Sequence, residues 1–238
     1  MNRFPFEEIY EKCASFGVNI DKATDEKLRI YALALLEWNE KMNLTAITEP
    51  SEVVYKHFYD CILFLKNVEI KQGAKIVDVG TGAGFPGMVL KIVRPDINLT
   101  LLDSLNKRLI FLEDVLKRVG LTAELLHSRA EEAGQNKAYR ESFDIATARA
   151  VAPMNVLCEY CLPLVKKGGM FIAMKGPGMS DELAESGNAL KCCGGEKVGI
   201  FTETLTGIEE RNFCLIKKIS QTPTNYPRLG KKISKQPL

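Results

Sequence analysis

The chain has 238 residues, 46% of them apolar and 26% charged, with a formal net charge of +2. That balance fits one large globular unit, or one with an appendage, able to bury a core without metal or disulfide staples. No apolar run approaches the roughly 18 residues of a membrane span, and the mixed, charged start MNRFPFEEIY is unlike a secretory signal, so the expected location is the cytoplasm.

Residues 1–70 read as helices. A short one runs from Pro5 to Phe16, and Asp25 opens a longer one with Leu28, Tyr31, Leu35 and Trp38 at helical spacing. Asn43-Leu44-Thr45 breaks that pattern. Thr48 and Pro50 then lead into a helix carrying Val54, Phe58, Cys61, Ile62 and Leu65 on one face. Beyond a turn over 67–73, strand and helix alternate: strand Lys75–Val79, helix Met88–Val93, strand Asn98–Leu102, helix Asn106–Val119 closed by Gly120, strands Ala123–His127 and Phe143–Ala148, helix Pro153–Leu164 and strand Met170–Met174 after a Gly168-Gly169 turn. A polar helix, Asp181–Leu190, precedes two antiparallel strands near Gly199–Leu205 and Asn212–Ile219, and the residues from Tyr226 onward read as loop or extended chain. The expectation is an α/β protein with a mostly parallel seven-stranded sheet covered by helices on both faces. It divides into a helical extension over 1–70, a sheet domain over 71–220 and a basic tail over 221–238, forming one globular unit.

The segment AKIVDVGTGAGFPG, Ala74 to Gly87, organises the rest. A strand running into Gly80, Gly82 and Gly84 and then into a helix is a nucleotide-type cofactor site, because glycine admits positive φ and a close ligand. Gly82, Gly84 and Gly87 also spell a G-x-G-x-x-G, which alone suits a dinucleotide. Three details favour S-adenosylmethionine. Asp78 lies two residues before Gly80, where a carboxylate opposes a diphosphate and suits an ammonium and a sulfonium. Phe85-Pro86 crowds the turn in which a diphosphate would need free N–H groups. About 70 residues of helix come first, whereas many dinucleotide domains begin with the strand.

Asp103, at the end of the second strand and 21 residues past Gly82, suits ribose hydroxyls, with a cap for the following helix as the alternative. Backbone N–H groups at Ala130 and Glu131 suit an adenine edge, or simply mark a helix start. Arg149, at the end of the fourth strand, is a candidate for orienting cofactor or RNA, with a structural ion pair as the alternative. Lys175, at the tip of the fifth strand, is a second positioning candidate. The seven cysteines read as reduced thiols, and the lone C-x-x-C, Cys158 and Cys161, lies in an apolar run with no second pair, so no metal is expected. Residues 1–70 carry 12 acidic against 8 basic residues, whereas Arg211 to the end carries 7 basic and no acidic residue. That end is either a polyanion contact or a solvated tail.

Several segments together resemble the bacterial ribosomal RNA small-subunit methyltransferase G family, also called glucose-inhibited division protein B. They are WNEKMNLTAIT (Trp38–Thr48), HFYDC (His57–Cys61), VDVGTGAGFPG (Val77–Gly87), LLDSLNKRLIFL (Leu101–Leu112), SRAEE (Ser128–Glu132), FDIATARAVA (Phe143–Ala152) and YPRLGKKISKQPL (Tyr226–Leu238). The chain departs from the family at Cys61, where Ser is usual, and at Leu229-Gly230-Lys231. The resemblance implies a Rossmann-like class I S-adenosylmethionine-dependent methyltransferase that modifies guanine N7 in 16S ribosomal RNA. It implies that Gly80, Phe85, Ala130, Glu131 and Arg149 line the cofactor site, with Asp103 beside the ribose.

Chemistry at N7 suits a chain without a catalytic triad or metal cluster, because N7 carries a free lone pair and needs no general base. No catalytic residue is assigned, and His57 and His127 are read as packing or capping residues. Arg228, Lys231, Lys232 and Lys235 would grip phosphates of the 16S RNA or small subunit. The N-terminal helices either form part of the RNA face or cap the sheet, and the protein is expected to be a monomer. The rival readings are an NAD-dependent oxidoreductase and a non-catalytic RNA-binding protein on the same fold.

Overall fold

A computed structural model describes residues 4–205 and 210–238; the first three residues of the charged N-terminal stretch lie outside them. Helix α1 covers Glu7–Ala14 and α2 covers Lys22–Met42. Helix α2 begins earlier than Asp25, because the Asp21 side chain caps it by accepting from the Thr24 N–H at 2.8 Å. Asp25 lies one turn in, where its carboxylate takes Arg29 Nε at 2.9 Å and the Tyr10 hydroxyl. Asn43 closes α2 in the left-handed conformation (φ 48°).

The next helix is broken into α3 Pro50–Val53, a π-helical turn Val54–Tyr59, α4 Asp60–Ile62 and α5 Phe64–Asn67. Around that turn, Val54, His57, Phe58, Asp60 and Cys61 all point inward. Wide turns of this kind re-aim side chains.

Strand β1 is Lys75–Val79, followed by α6 Gly87–Val93, β2 Asn98–Asp103, α7 Asn106–Val119, β3 Glu124–His127, α8 Ala130–Gln135 and β4 Phe143–Arg149. Then come α9 Met154–Cys161, a 3-10 turn Leu162–Leu164, β5 Val165–Lys175, α10 Met179–Ala184, α11 Gly187–Cys193, β6 Gly195–Thr204, β7 Glu210–Lys218 and α12 Lys232–Lys235. The seven strands lie in the order β3-β2-β1-β4-β5-β7-β6. All neighbours up to β5 are parallel, while β7 runs antiparallel to both β5 and β6. The order in which successive strands are added across the sheet therefore switches direction between β1 and β4, which opens a crevice at their carboxyl ends.

Other boundaries also differ from the sequence expectation, among them the start of β6, which lies at Gly195. The Gly168-Gly169 turn lies inside β5: Phe143 pairs with Val165 and Ile145 with Met170, so the intervening residues of β5 bulge out. A Cβ on Gly169 would stand 2.6 Å from the Asp144 carbonyl oxygen, which is why glycine is needed there. The single helix expected over 181–190 is two, α10 and α11, parted at Ser186, whose hydroxyl donates back to the Glu182 carbonyl at 2.6 Å. The tail, expected without helix, contains α12.

Alternate strand residues feed two apolar layers. Ile76, Leu101, Ile145 and Ile172 meet the N-terminal helices together with α6 and α7. Val77, Leu102, Ala146 and Phe171 meet residues of α8, α9, α10 and α11. Phe4, Phe6, Leu28, Tyr31 and Phe58 belong to the first layer, so the helical extension shares its core with the sheet. Cys158 and Cys161 are fully buried in the second, and burial pushes both thiols well above their ordinary range.

The tail is stitched to α8 and α9. Arg140 donates to the carbonyls of Thr222 at 2.6 Å and Tyr226 at 2.8 Å, and Gln135 Nε2 to that of Pro227 at 2.7 Å. The guanidinium of Arg228 is taken by Glu159, a carboxylate with no solvent exposure, at 2.7 Å, and the Arg228 N–H donates to the same group at 2.7 Å. Arg228, expected to grip RNA phosphate, is thus occupied in holding the tail down. Replacing Arg228 with alanine would strand a buried charge, and Arg228→Ala should lower unfolding free energy by about 3 kcal/mol. Urea denaturation would check this, and an unchanged midpoint would mean Glu159 finds another partner.

Candidate functional site

Parallel register brings the carboxyl ends of the strands to one edge of the sheet, with Asp103 level with His127 and Arg149 level with Met174. Between them lies a cleft of about 320 Å³ whose wall includes Gly80, Asp103, Arg108, Ala130, Glu131 and Val151. Gly80, Asp103, Ala130 and Glu131 therefore converge as the sequence suggested. Asp78, Gly82, Gly84, Phe85 and Arg149, also expected at the cofactor site, are not among the residues of this wall.

The glycines of the loop answer to different neighbours. Gly80 (φ 68°) lies under Val151, whose Cγ2 would be 2.8 Å from a Cβ. A Cβ on Gly82 (φ 59°) would meet the Gly80 carbonyl oxygen at an unstrained 3.9 Å, and the Gly82 N–H donates to Asp103 Oδ2 at 2.9 Å. Gly84 (φ 94°) is pressed by protein: a Cβ there would meet the Tyr31 hydroxyl at 2.6 Å and Leu112 at 2.7 Å. The Tyr31 hydroxyl itself donates to the Ala83 carbonyl, so α2 grips the loop directly.

Asp78 is fully buried beneath the loop. Its Oδ2 accepts from Thr81 Oγ1 at 2.7 Å and from the Gly87 N–H at 2.9 Å, while Oδ1 has no hydrogen-bond partner among the described residues. Burial pushes this carboxyl up to about 6, against the pull of the Thr81 and Gly87 hydrogen bonds and of Arg149.

Asp103 is nearly buried. Its Oδ1 accepts from the Leu105 N–H at 2.9 Å, just ahead of α7, and its Oδ2 accepts from Gly82 and from Arg108 Nη1 at 3.2 Å. Each carboxylate oxygen has two acceptor sites, so capacity remains for a ribose. Ala130 and Glu131 form the first turn of α8, where backbone N–H groups have no partner within the helix. Helix start and adenine edge are thus compatible readings of the same residues.

Arg149 turns away from the cleft toward the N-terminal helices. Its Nη1 donates to Asp60 Oδ2 at 2.8 Å and to the Lys56 carbonyl at 3.2 Å, and its guanidinium lies over the Phe85 ring, 4.9 Å from the centroid. The structural ion pair raised as the alternative is therefore present. Arg211 Nε reaches the other oxygen of Asp60 at 2.6 Å. Phe85, almost fully buried, stacks with Tyr31 at 5.3 Å and with His57 at 4.7 Å.

Arginine can only donate, so its 3.4 Å approach to His57 Nδ1 makes Nδ1 the acceptor and puts the imidazole proton on Nε2, facing Thr45 Oγ1 at 2.8 Å. Burial, with Arg149 adding to it, drives the His57 imidazole down to about 3. Lys175 donates to the Ala152 carbonyl at 2.8 Å and pairs with Glu182 at 2.6 Å. Lys231, Lys232 and Lys235 are exposed around α12.

Sequence reasoning singled out neither Tyr31, Asp60, Arg211 nor Glu182 as part of the site. Asp60 did carry a signal, an acidic residue among the apolar Phe58, Cys61 and Ile62, where an unpaired charge would be costly.

The strand order, the antiparallel last strands and the cleft at the tip of β1 define the Rossmann-like class I S-adenosylmethionine-dependent methyltransferase fold. Solved structures agree on that fold. The YcgJ protein of Bacillus subtilis superposes with a TM-score of 0.53 at 13% identity, covering 70% of this chain and 100% of that one. The 16S rRNA (adenine(1408)-N(1))-methyltransferase of Catenulisporales acidiphilia gives 0.51 at 13%, covering 66% and 88%. The family model for rRNA small subunit methyltransferase G matches residues 24–213. Proteins called ribosomal RNA small subunit methyltransferase G are 46% identical over 235 residues in Clostridium perfringens, covering 98% of both chains, and 50% identical over 226 residues in Lactobacillus acidophilus, covering 93% of this chain and 94% of that one. The chain belongs to the rRNA small subunit methyltransferase G family.

The residues present fit the cofactor of this fold. A buried carboxylate with one oxygen unpartnered beneath the loop is suited to a ligand bearing ammonium and sulfonium charge and repels a diphosphate.

The raised carboxyl of Asp78 carries a sign. A native carboxyl that binds its proton more tightly than the unfolded chain stabilises the fold at low pH and loses that contribution as pH rises from about 4 to about 6. Wild type should therefore lose up to about 3 kcal/mol relative to Asp78→Asn across that window. Denaturant titrations at pH 4 and pH 7 check this, and a gap that does not change with pH would show that Asp78 does not titrate there.

Proposed function

We propose that the protein transfers the methyl group of S-adenosylmethionine to N7 of a guanosine in 16S ribosomal RNA. The observation that carries this reading is membership, over nearly the whole chain, of the rRNA small subunit methyltransferase G family, combined with the cleft at the tip of β1. In that cleft the acceptor site left on Asp103 Oδ1 would hold a ribose hydroxyl, and the N–H groups of Ala130 and Glu131 the adenine edge. The methyl-bearing end would then lie toward Gly80 and Val151, where the sheet order reverses.

The bound cofactor supplies an electrophilic methyl on sulfur. The protein has to hold guanine N7 in line with it, and positioning alone can account for much of the acceleration. No side chain need remove a proton, and neither histidine is placed as a base: His57 is buried and engaged at both nitrogens, and His127 Nε2 lies 3.1 Å from the Ser104 carbonyl. Lys231, Lys232 and Lys235 would meet phosphates, with Arg228 fixing the segment that presents them.

Incubating the protein with labelled cofactor and 16S RNA from cells lacking the gene should place one label per molecule at a guanosine, found by chemical cleavage at 7-methylguanosine. Label at an exocyclic amine, or none on any form of the RNA, would refute the reading. Lys231→Glu combined with Lys232→Glu should raise the RNA KM without changing cofactor affinity. It should also flatten the salt dependence of RNA binding by about 0.7 per lost phosphate contact. Equal loss of cofactor affinity would instead assign these lysines a structural role.

A further inference from the structure

At the carboxyl tip of β5, beside the cleft, Lys175 and Glu182 form a pair whose hydrogen-bonding capacity is not used up. Lys175 Nζ donates to the Ala152 carbonyl at 2.8 Å and lies 2.6 Å from Glu182 Oε2, and that same oxygen accepts from the Met154 N–H at 3.0 Å. An ammonium has three N–H groups, so one donor is left. Oε1 of Glu182 has no partner among the described residues. Their side chains are 12% and 35% exposed, so the pair is reachable but confined. Ala152, which Lys175 holds, follows Val151 in the cleft wall. Ala150, just before it, adopts a left-handed backbone (φ 56°) that a residue with a Cβ takes only where its surroundings impose it.

A spare donor beside a spare acceptor is a pattern that a base edge can match. Guanine shows the acceptor O6 beside the donor N1–H. Adenine shows the reverse, a donor amino group beside the acceptor N1. In a purine whose N7 faces the Gly80–Val151 end of the cleft, the C6 substituent comes next around the ring and N1 after it, over the tips of β4 and β5.

We propose that Lys175 donates to O6 and Glu182 accepts from N1–H of the acceptor base, so that this pair selects guanosine over adenosine. The assignment rests on the methyl-transfer reading above. An adenine in the same place would set donor against donor and acceptor against acceptor, covering the spare N–H and the spare carboxylate oxygen without pairing them, and sites built on such bonds reject the mismatched analogue strongly. The contacts to Ala152 and Met154 make the same two residues positioning groups for the loop, and a pair confined to that task would support transfer to any base equally.

The test uses full-length 16S RNA carrying guanosine, inosine or adenosine at the modified position. Inosine keeps O6 and N1–H and lacks only the 2-amino group. Under single turnover, wild type should methylate inosine within about threefold of guanosine and adenosine at least ~100-fold more slowly. Glu182→Ala should narrow the guanosine-to-adenosine ratio by about tenfold or more, with cofactor affinity by calorimetry unchanged. Glu182→Gln, which keeps a carbonyl acceptor, should restore most of the ratio. Loss of activity on inosine comparable to that on adenosine would overturn the assignment. So would an unchanged ratio in Glu182→Ala, or a fall in cofactor affinity that matches the fall in rate. Should Glu182→Ala not fold, the inosine comparison in wild type still decides. Absence of transfer to all three RNAs would instead sink the functional reading and this assignment with it.

Discussion

The carboxylate of Asp60 holds the molecule's two halves in register. It has no solvent exposure, and each of its oxygens is taken by a different guanidinium, Arg149 from the end of β4 and Arg211 from β7. Removing a carboxylate from water costs several kcal/mol unless charge and hydrogen bonds replace the lost hydration. Here two arginines do so at once, and the helical segment carrying Asp60 is thereby fixed to the sheet. The cluster retains an excess of positive charge, which helps keep His57 neutral and places a cation over the face of Phe85. Arg149 thereby packs on Phe85, and Phe85 sits in the glycine loop.

That loop is a strap tied at three points. Asp78 holds it from beneath through Thr81 and Gly87, Tyr31 holds its flank through the Ala83 carbonyl, and Val151 lies against Gly80 on the cleft side. Glycines that look equivalent in sequence therefore do different work. Gly84 and Gly87 admit the close approach of protein atoms, whereas Gly82 is uncrowded and turns its N–H to Asp103. The N-terminal helices are part of this arrangement, since both Tyr31 and His57 come from them.

Much of this was legible in the residues. Apolar spacing located the seven strands and most helices, because burial on one face imposes a period that survives in the sequence. The glycine loop and Asp103 were legible because a strand, a turn and a carboxylate at fixed spacing have few other uses. Pairings between distant charges were not. Arg149 meets a carboxylate 89 residues upstream, and Arg228 one 69 residues upstream. A basic residue reads the same in sequence whether it is solvated, bound to a phosphate or locked in an ion pair. The tail looked like a free polycation for this reason, although Arg140, Gln135 and Glu159 bind it to the segment after α8, to α8 and to α9. The start of α2 was missed for a simpler cause: Asp21 and Asp25 are both plausible caps, and only the backbone at Asp21 has the extended conformation a cap requires.

Charge placement links these pairings to the proposed chemistry. In methyl transfer from a sulfonium to N7, positive charge leaves sulfur and builds on the purine. Under the proposed reading, carboxylates near the donor side, Asp78 and Asp103, would favour charge on sulfur and so stabilise the bound cofactor more than the transition state. Uncompensated cations on the acceptor side would add to the barrier by repelling charge as it arrives. The cations at the tips of β4 and β5 are Arg149 and Lys175, and each stands against a carboxylate, Asp60 and Glu182. Lys175 is matched one for one by Glu182, whereas Asp60 is shared between Arg149 and Arg211, whose cluster faces the N-terminal helices and keeps an excess of positive charge. On this reading the Lys175–Glu182 pair is as much a condition of the chemistry as the glycine loop, since it would let a cationic base form beside a lysine that would otherwise oppose it.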